Sequence, residues 1–251
     1  MDIKDTAAII TGAASGLGEA TARHFRQHGA QVTILDRDAD RGQAVADEIG
    51  AAFAETDVTD ESSVQDSIAA ARGAMGKITA AINCAGIAPA AKTLGREGPH
   101  PLSTFQSVID INLVGSFNVA RLTAVEIAKN DPAPDGARGV IINTASIAAF
   151  DGQKGQAAYA ASKGGIVGLS LPMARDLQRE GIRVMAIAPG IFLTPMLQGL
   201  PQEVQDGLAK DVTFPKRLGD PAEYAALAQF IVECGYLNGE VIRLDGALRM
   251  Q

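Results

Sequence analysis

The sequence predicts a single α/β domain, a doubly wound parallel sheet of seven strands with helices on both faces. Three observations predict it. Short apolar runs alternate with longer amphipathic segments along the chain, the pattern of strands and their crossover helices. A glycine-rich turn stands between the first apolar run and the first amphipathic segment. The 251 residues, 47% of them hydrophobic, suffice for one undivided core of this type.

The strands are expected at Ala7–Thr11, Gln31–Asp36, Ala51–Glu55, Ala80–Cys84, Val140–Thr144, Arg183–Ala188 and Val241–Leu244, as nearly continuous apolar runs that suit burial on both faces. Helical spacing of apolar residues marks Leu17–His28, Arg41–Ile49, Glu61–Ala74, Thr104–Lys129, Ala157–Glu180, a piece near Glu203–Lys210, and Ala222–Cys234. Right-handed crossovers then build the sheet. Ala88–Ser103, Asp131–Gly139 and Gly190–Pro221 break the rhythm, and the last is long enough to be a lid or binding loop. No repeat, low-complexity tract or interdomain linker divides residues 1–251.

A net charge of −7 argues against a nucleic-acid partner, which calls for a basic face. Cys84 and Cys234 show no zinc or Cys-x-x-Cys spacing, which suits a reduced compartment. The stretch Met1–Asp5 leaves no room for a leader before the motif at Thr11, and no apolar run approaches a membrane span. A cytoplasmic protein with no membrane partner is the expectation.

Thr11-Gly12-Ala13-Ala14-Ser15-Gly16-Leu17-Gly18 follows the first strand and opens a helix. Glycines permit the tight turn, the approach of a pyrophosphate and the packing of helix on strand, while free N–H groups at the helix start attract phosphate. Such a turn alone can be a plain loop; its position between strand and helix makes it a dinucleotide site, and the fold Rossmann-like. Residues 6–110 then form a dinucleotide-binding half, and residues 111–251 a catalytic and substrate half. Asp36, 24 residues after Gly12, can accept hydrogen bonds from the adenosine ribose and repel a 2′-phosphate, which favours NAD over NADP. Arg37 is counter-evidence. Asp57 stands at the next strand end, where it lines the site or caps the following helix; Cys84 reads as buried packing.

Ser146 follows the fifth strand, Tyr159 comes 13 residues later and Lys163 four after that. On a helix Tyr159 and Lys163 share a face. Hydride transfer at a carbonyl carbon requires a proton to move on its oxygen, and a tyrosine of pKa about 10 needs help to do so. A neighbouring ammonium and an oxidised nicotinamide both favour the phenolate, and Ser146 can hold the substrate oxygen. Each residue has a bland explanation by itself; together, after an intact dinucleotide turn, they point to an oxidoreductase. His24 and His28 have the spacing of a metal pair without a third ligand, and Gly168-Leu-Ser170-Leu-Pro172 lacks a hydrolase's second glycine, so no metal or hydrolase chemistry is expected.

From Thr6 to the end of the chain the sequence resembles the short-chain dehydrogenase/reductase family. The glycine turn, Asn83-Cys84-Ala85-Gly86, Asn112, Ser146, Tyr159-Ala-Ala-Ser-Lys163 and Pro189-Gly190 carry the resemblance. It implies Tyr159 as acid/base, Ser146 as the oxygen-positioning hydroxyl, Lys163 as tyrosine activator and ribose ligand, and Asn112 as holder of a relay water. It implies NAD contacts at Ser15, Leu17, Asp36, Asp57, Val58, Cys84 (through backbone) and Phe192. Many members carry asparagine where this chain has Cys84, with no penalty expected.

Arg138–Ala149, Gly155–Gly168, Arg217–Ala222, Leu237–Gly246 and the insertion Ala88–Ser103 are similar to the group of type 2 3-hydroxyacyl-CoA dehydrogenases, also called 17β-hydroxysteroid dehydrogenases type 10. That resemblance implies NAD-dependent interconversion of 3-hydroxyacyl-CoA and 3-oxoacyl-CoA in fatty acid metabolism. A hydroxysteroid or secondary-alcohol dehydrogenase that never meets CoA is the alternative, and a non-catalytic NAD-binding regulator a third reading. Leu94, Leu193, Met196, Leu197, Leu200 and Phe214 are expected on the cleft walls. Lys92, Arg96, Lys210, Lys216 and Arg217 are candidate CoA cations, and Gln153 and Gln156 are expected near the thioester. Ala160, Ala161, Gly164, Ile166, Val167 and Leu169 leave the Tyr159 helix apolar on nearly every side, which together with the resemblance predicts a homotetramer.

Overall fold

The computed structural model describes residues 1–96, 98–199 and 201–250. Seven parallel strands form one sheet: β1 (Ala7–Thr11), β2 (Gln31–Asp36), β3 (Ala52–Glu55), β4 (Ala80–Asn83), β7 (Gly139–Thr144), β8 (Ile182–Pro189) and β9 (Val241–Leu244). Their order is β3-β2-β1-β4-β7-β8-β9. The chain builds outward from β1 in one direction and restarts beyond it at β4, which makes the gap between β1 and β4 the switch point. A two-stranded hairpin, β5 (Leu94–Gly95) with β6 (Gly98–Pro99), stands apart in the Ala88–Ser103 stretch.

Alternation along each strand sorts the core into two layers. Ala8, Ile10, Ile34, Ile82, Ile142 and Met185 face one way, packed with Phe25, Val45, Tyr224 and Ile231 from α1 (Gly16–Gln27), α2 (Ala39–Ile49) and α9 (Pro221–Glu233). Ala7, Ile9, Ala81, Ile141 and Val184 face the other way. They pack with Val64, Ile68, Val119, Ile127 and Met173 from α3 (Glu61–Met75), α5 (Ser116–Ile127) and α6 (Ala157–Asp176). Each isoleucine so buried stabilises by roughly 1.5–3 kcal/mol relative to exposure.

Helix ends follow local chemistry. Asp38 caps α2, which stops at the left-handed Gly50; Asp60 caps α3, which stops at the left-handed Gly76. Asp57 is therefore not the cap. Its carboxylate accepts from the Thr59 amide at 2.9 Å and the Thr59 hydroxyl at 2.7 Å.

Thr104–Lys129 differs from expectation in two ways. It is α4 (Leu102–Ile109) joined to α5 through a wider π-helical turn, Asp110–Gly115. Leu102–Ile127 is also long and apolar enough to cross a membrane by length and composition alone, at a mean hydropathy of 1.3, and 50% of that window is buried within the fold. Packing against the sheet and α6 accounts for its apolar face. The long Gly190–Pro221 connection contains α7 (Pro195–Gln198) and α8 (Gln202–Lys210).

Candidate active site

A cleft of about 760 Å³ opens at the carboxyl ends of β1, β2 and β4. Gly12, Ser15, Gly16, Leu17 and Gly18 line it, with Asp36, Asp57, Val58, Cys84 and Tyr159. Gly12 has φ +64°, and a Cβ on it would stand 2.7 Å from Ala85 Cα. A Cβ on Gly18 would strike the carbonyl oxygen of Gly12. Side chains at either place would fill the cradle and push the turn from the helix. Ser15 precedes α1 with no capping bond from its side chain. This cradle of glycine backbone at a helix N-terminus fits a pyrophosphate.

Asp36 anchors the turn as well as facing the cleft. Its carboxylate accepts from the Ala14 amide at 2.9 Å and from the Asp38 amide at 3.0 Å. Arg37 and Arg41 share the lining there. Phe192, expected at the cofactor, is 6% exposed and packs its ring under Gly219, and Thr194 and Pro195, just after it, line the cleft. The chain turns immediately after β8, so the aromatic ring enters the core, leaving the next turn at the cleft.

Tyr159 and Lys163 stand on the first turns of α6, with Lys163 Nζ 5.8 Å from the tyrosine ring centroid. Lys163 is 4% exposed, and Nζ donates to the Thr144 carbonyl at 2.7 Å. Burial lowers its pKa to about 8, with a weaker opposing pull from Cys84. Burial raises that of Tyr159, against a hydrogen bond with Ser146 that lowers it. The expectation that the lysine charge depresses the tyrosine does not describe the protein alone: desolvation outweighs the Ser146 hydrogen bond, and the net direction is upward.

Ser146 begins the 3₁₀ turn Ile147–Ala149 and accepts from the Ala148 amide at 3.1 Å. Asn112 lies in the π-helical turn, fully buried. Its amide donates to the Ile87 carbonyl at 2.9 Å and to Ser162 Oγ at 3.1 Å, and its oxygen accepts from the Ile87 amide at 2.8 Å. The side chain thus ties the segment after β4 to α6. Widened turns of this kind recur at functional sites.

Several expected substrate contacts are elsewhere or already engaged. The Gln156 side-chain oxygen accepts from the Gln153 amide at 3.0 Å, and neither glutamine lines the cleft containing Tyr159. The pair closes the turn leading into α6. Leu94 and Phe214 are 76% and 79% exposed; Leu193 lines a neighbouring cleft, and Leu197 is half-buried. Leu200 and the Met196 side chain lie outside the described residues. Lys92, Arg96 and Lys210 are exposed, Lys216 Nζ donates to the Lys210 carbonyl, and Arg217 pairs with Glu223 at 2.8 Å. His24 bonds Gln229 and His28 bonds the His24 carbonyl.

Sequence reading missed Thr144 and Tyr224. Tyr224 Oη lies 2.7 Å from Thr144 Oγ1 and 3.7 Å from Cys84 Sγ, a buried group directly behind Lys163. No local spacing joins residues 80 positions apart. Burial pushes the Cys84 thiol up, so it is a packed thiol, not a nucleophile.

Strand, glycine turn and helix make a dinucleotide cradle, and the half-buried Tyr159 on its lining, backed by the buried Lys163, can exchange a proton with a substrate oxygen: this is an oxidoreductase site. The chain belongs to the short chain dehydrogenase family, which matches residues 6–205. It is 57% identical to human 3-hydroxyacyl-CoA dehydrogenase type-2 over 253 residues, 99% of this chain and 97% of that protein. It is 52% identical to the Drosophila melanogaster protein of that name over 252 residues, 99% of each chain. The crystal structure of 3-hydroxyacyl-CoA dehydrogenase type-2 from Mycobacterium avium superposes with a TM-score of 0.93 at 44% identity, covering 99% of this chain and 98% of that one.

Proposed function

We propose that the protein is an NAD-dependent 3-hydroxyacyl-CoA dehydrogenase. The observation that carries it is the buried Ser146, Lys163 and Asn112 with the half-buried Tyr159 beside a glycine cradle, in a chain 57% identical to a relative of that activity. When bound, NAD would accept the hydride from the alcohol carbon. Ser146 would hold the substrate oxygen, Tyr159 would take its proton, and Lys163 would bind the ribose and favour the phenolate. Asn112 keeps its side chain on Ile87 and Ser162, so its contribution to a water relay would fall to its backbone. Asp36 favours NAD by its charge, and the retained set of four weighs against a non-catalytic regulator.

Homotetrameric assembly and a cytoplasmic location go with this reading. The first is supported by exposed Val114, Phe117, Val125 and Leu171 on α5, α6 and the π-helical turn, the second by two free cysteines.

A second reading, a dehydrogenase of uncharged secondary alcohols, is favoured by the neighbouring cleft. That cleft, of about 1230 Å³, adjoins the cradle at Gly16 and Pro195 and presents Glu19, Asp206, Asp220 and Glu223. Arg23 and Arg217 there are already ion-paired, a poor setting for CoA phosphates. Initial rates with acetoacetyl-CoA, a steroid ketone and an aromatic ketone, each with NADH and NADPH, test both. Reduction of acetoacetyl-CoA by NADH supports the first reading. Its absence, with a free ketone reduced, selects the second.

A further inference from the structure

We propose that Arg243, with the C-terminal turn it holds, is a positioning residue for the substrate: it sets the spacing between the Ser146 turn and the lid segment that begins at Gly190. This rests on Ser146 being the hydroxyl that holds the substrate oxygen.

Arg243, in β9, bridges the turn that follows Ser146 and the C-terminal turn. Its guanidinium donates to Asp151 Oδ2 at 2.6 Å, to Asp245 Oδ2 at 2.7 Å and to the Leu248 carbonyl at 3.2 Å, and lies 5.1 Å from the Phe150 ring centroid. Phe150 and Asp151 end the turn that Ser146 starts, for both of their amides donate to the Ile147 carbonyl. Side-chain exposures of 23% for Arg243, 19% for Asp151 and 8% for Asp245 mark a shielded network, where such pairs resist solvent screening.

The same C-terminal turn holds the lid segment at its start and again near Phe214. Gly190 packs so closely on Asp245 that a Cβ would stand 2.9 Å from its Cα. Farther along, the Phe214 amide donates to the Gly246 carbonyl at 3.1 Å and the Thr213 hydroxyl to the Ala247 carbonyl at 3.0 Å. The turn itself is locally constrained, with Ala247 at φ +61° and its amide on Asp245 Oδ1. Arg243 therefore joins the serine turn to a constrained hinge that fixes where the lid starts and returns. No cradle residue bonds to it, so dinucleotide binding should be indifferent to its loss.

The test compares Arg243→Gln, Arg243→Lys, Asp151→Asn and Ser146→Ala with the wild-type protein, using NADH-dependent ketone reduction and a fluorescence titration of NADH. Expected for Arg243→Gln are a ketone KM raised roughly tenfold or more, a smaller fall in kcat, and an NADH Kd within about twofold of wild type. Asp151→Asn should shift KM in the same direction, and Arg243→Lys, lacking the fork, should not restore it. Unchanged KM in both Arg243→Gln and Asp151→Asn, or NADH binding lost in parallel with ketone binding, overturns the proposal. Full activity in Ser146→Ala would instead remove the reading on which it rests.

Discussion

Lys163 Nζ donates a hydrogen bond to a neutral partner, the Thr144 carbonyl, at 2.7 Å. No carboxylate forms an ion pair with it among the described residues, and the side chain is almost wholly buried. The protein thus keeps a charge in its core at a cost in stability, held by a strand end whose hydroxyl is in turn bonded to Tyr224. Sites arranged for chemistry commonly carry such strain.

Replacing that lysine should stabilise the fold while abolishing turnover. Its folded pKa of about 8 lies below the unfolded value of about 10.4, so the unfolded chain binds more protons between those limits. The destabilisation is full below pH 8 and fades as pH rises from about 8 to 10.4. At pH 7 it amounts to about 3 kcal/mol, less about 1 for the Thr144 bond that Lys163→Met would lose. Lys163→Met should therefore melt roughly 5 °C higher at pH 7, with the difference from wild type shrinking toward pH 10. A lower melting temperature at pH 7 would show that the lysine contributes net stability.

Tyr159→Phe should lose about 10²–10⁴ in turnover and still bind NADH, because it removes the proton-transfer group and keeps the ring. The raised tyrosine pKa gives the accompanying pH dependence. A phenol that stays protonated at neutral pH is ready to donate, so ketone reduction should be nearly flat from pH 6 to 8. Alcohol oxidation needs the phenolate and should climb over that interval. Stopped-flow rates in both directions check this, and an oxidation rate independent of pH would place the base elsewhere.

The fold was largely legible because its signals are local. Continuous apolar strands and glycine-marked turns place β1, β2 and β9 at the same residues in sequence and structure, and Tyr159 and Lys163 share a face by helix geometry. What escaped depends on the third dimension. The π-helical turn around Asn112 differs from an ordinary helix by one residue of winding, too little to disturb the apolar pattern. The ring of Phe192 suits a cleft and a core alike, and the bend after β8 turns the ring itself into the core. Arg243 meets Asp151 across 92 positions, which no periodicity records.

Asp36 should govern the choice of cofactor in a way that separates its two roles. Asp36→Asn retains an oxygen for the Ala14 amide yet removes the charge opposing a 2′-phosphate, with Arg37 and Arg41 beside it. The NADH-to-NADPH preference in kcat/KM should narrow by about tenfold or more. Asp36→Ala, which also frees the glycine turn, should weaken NADH further and lower thermal stability. A wild-type protein that uses NADPH better than NADH would reverse the assignment.

Assembly is tested by a glycine on the outer face of α6. Val114, Phe117, Val125 and Leu171 are 44–56% exposed, a run of large apolar side chains that water disfavours. On α6, a Cβ placed on Gly164 or Gly168 meets nothing within 4 Å, so the helix surface is smooth enough for another helix to approach closely. Within one chain the Cβ of Gly168→Leu meets nothing within 4 Å, and the change should improve helix propensity by roughly 0.8–1 kcal/mol. In a tetramer the same leucine would stand where the partner helix packs. The expected result is a variant that folds with an unchanged circular dichroism spectrum yet scatters light as a smaller species than the tetramer proposed for the wild-type protein. Turnover should fall as well, since Tyr159 and Lys163 ride on the helix that loses its support. A wild-type protein that is monomeric at micromolar concentration, or a Gly168→Leu variant that remains tetrameric, would show that the face is left uncovered or is covered in another way.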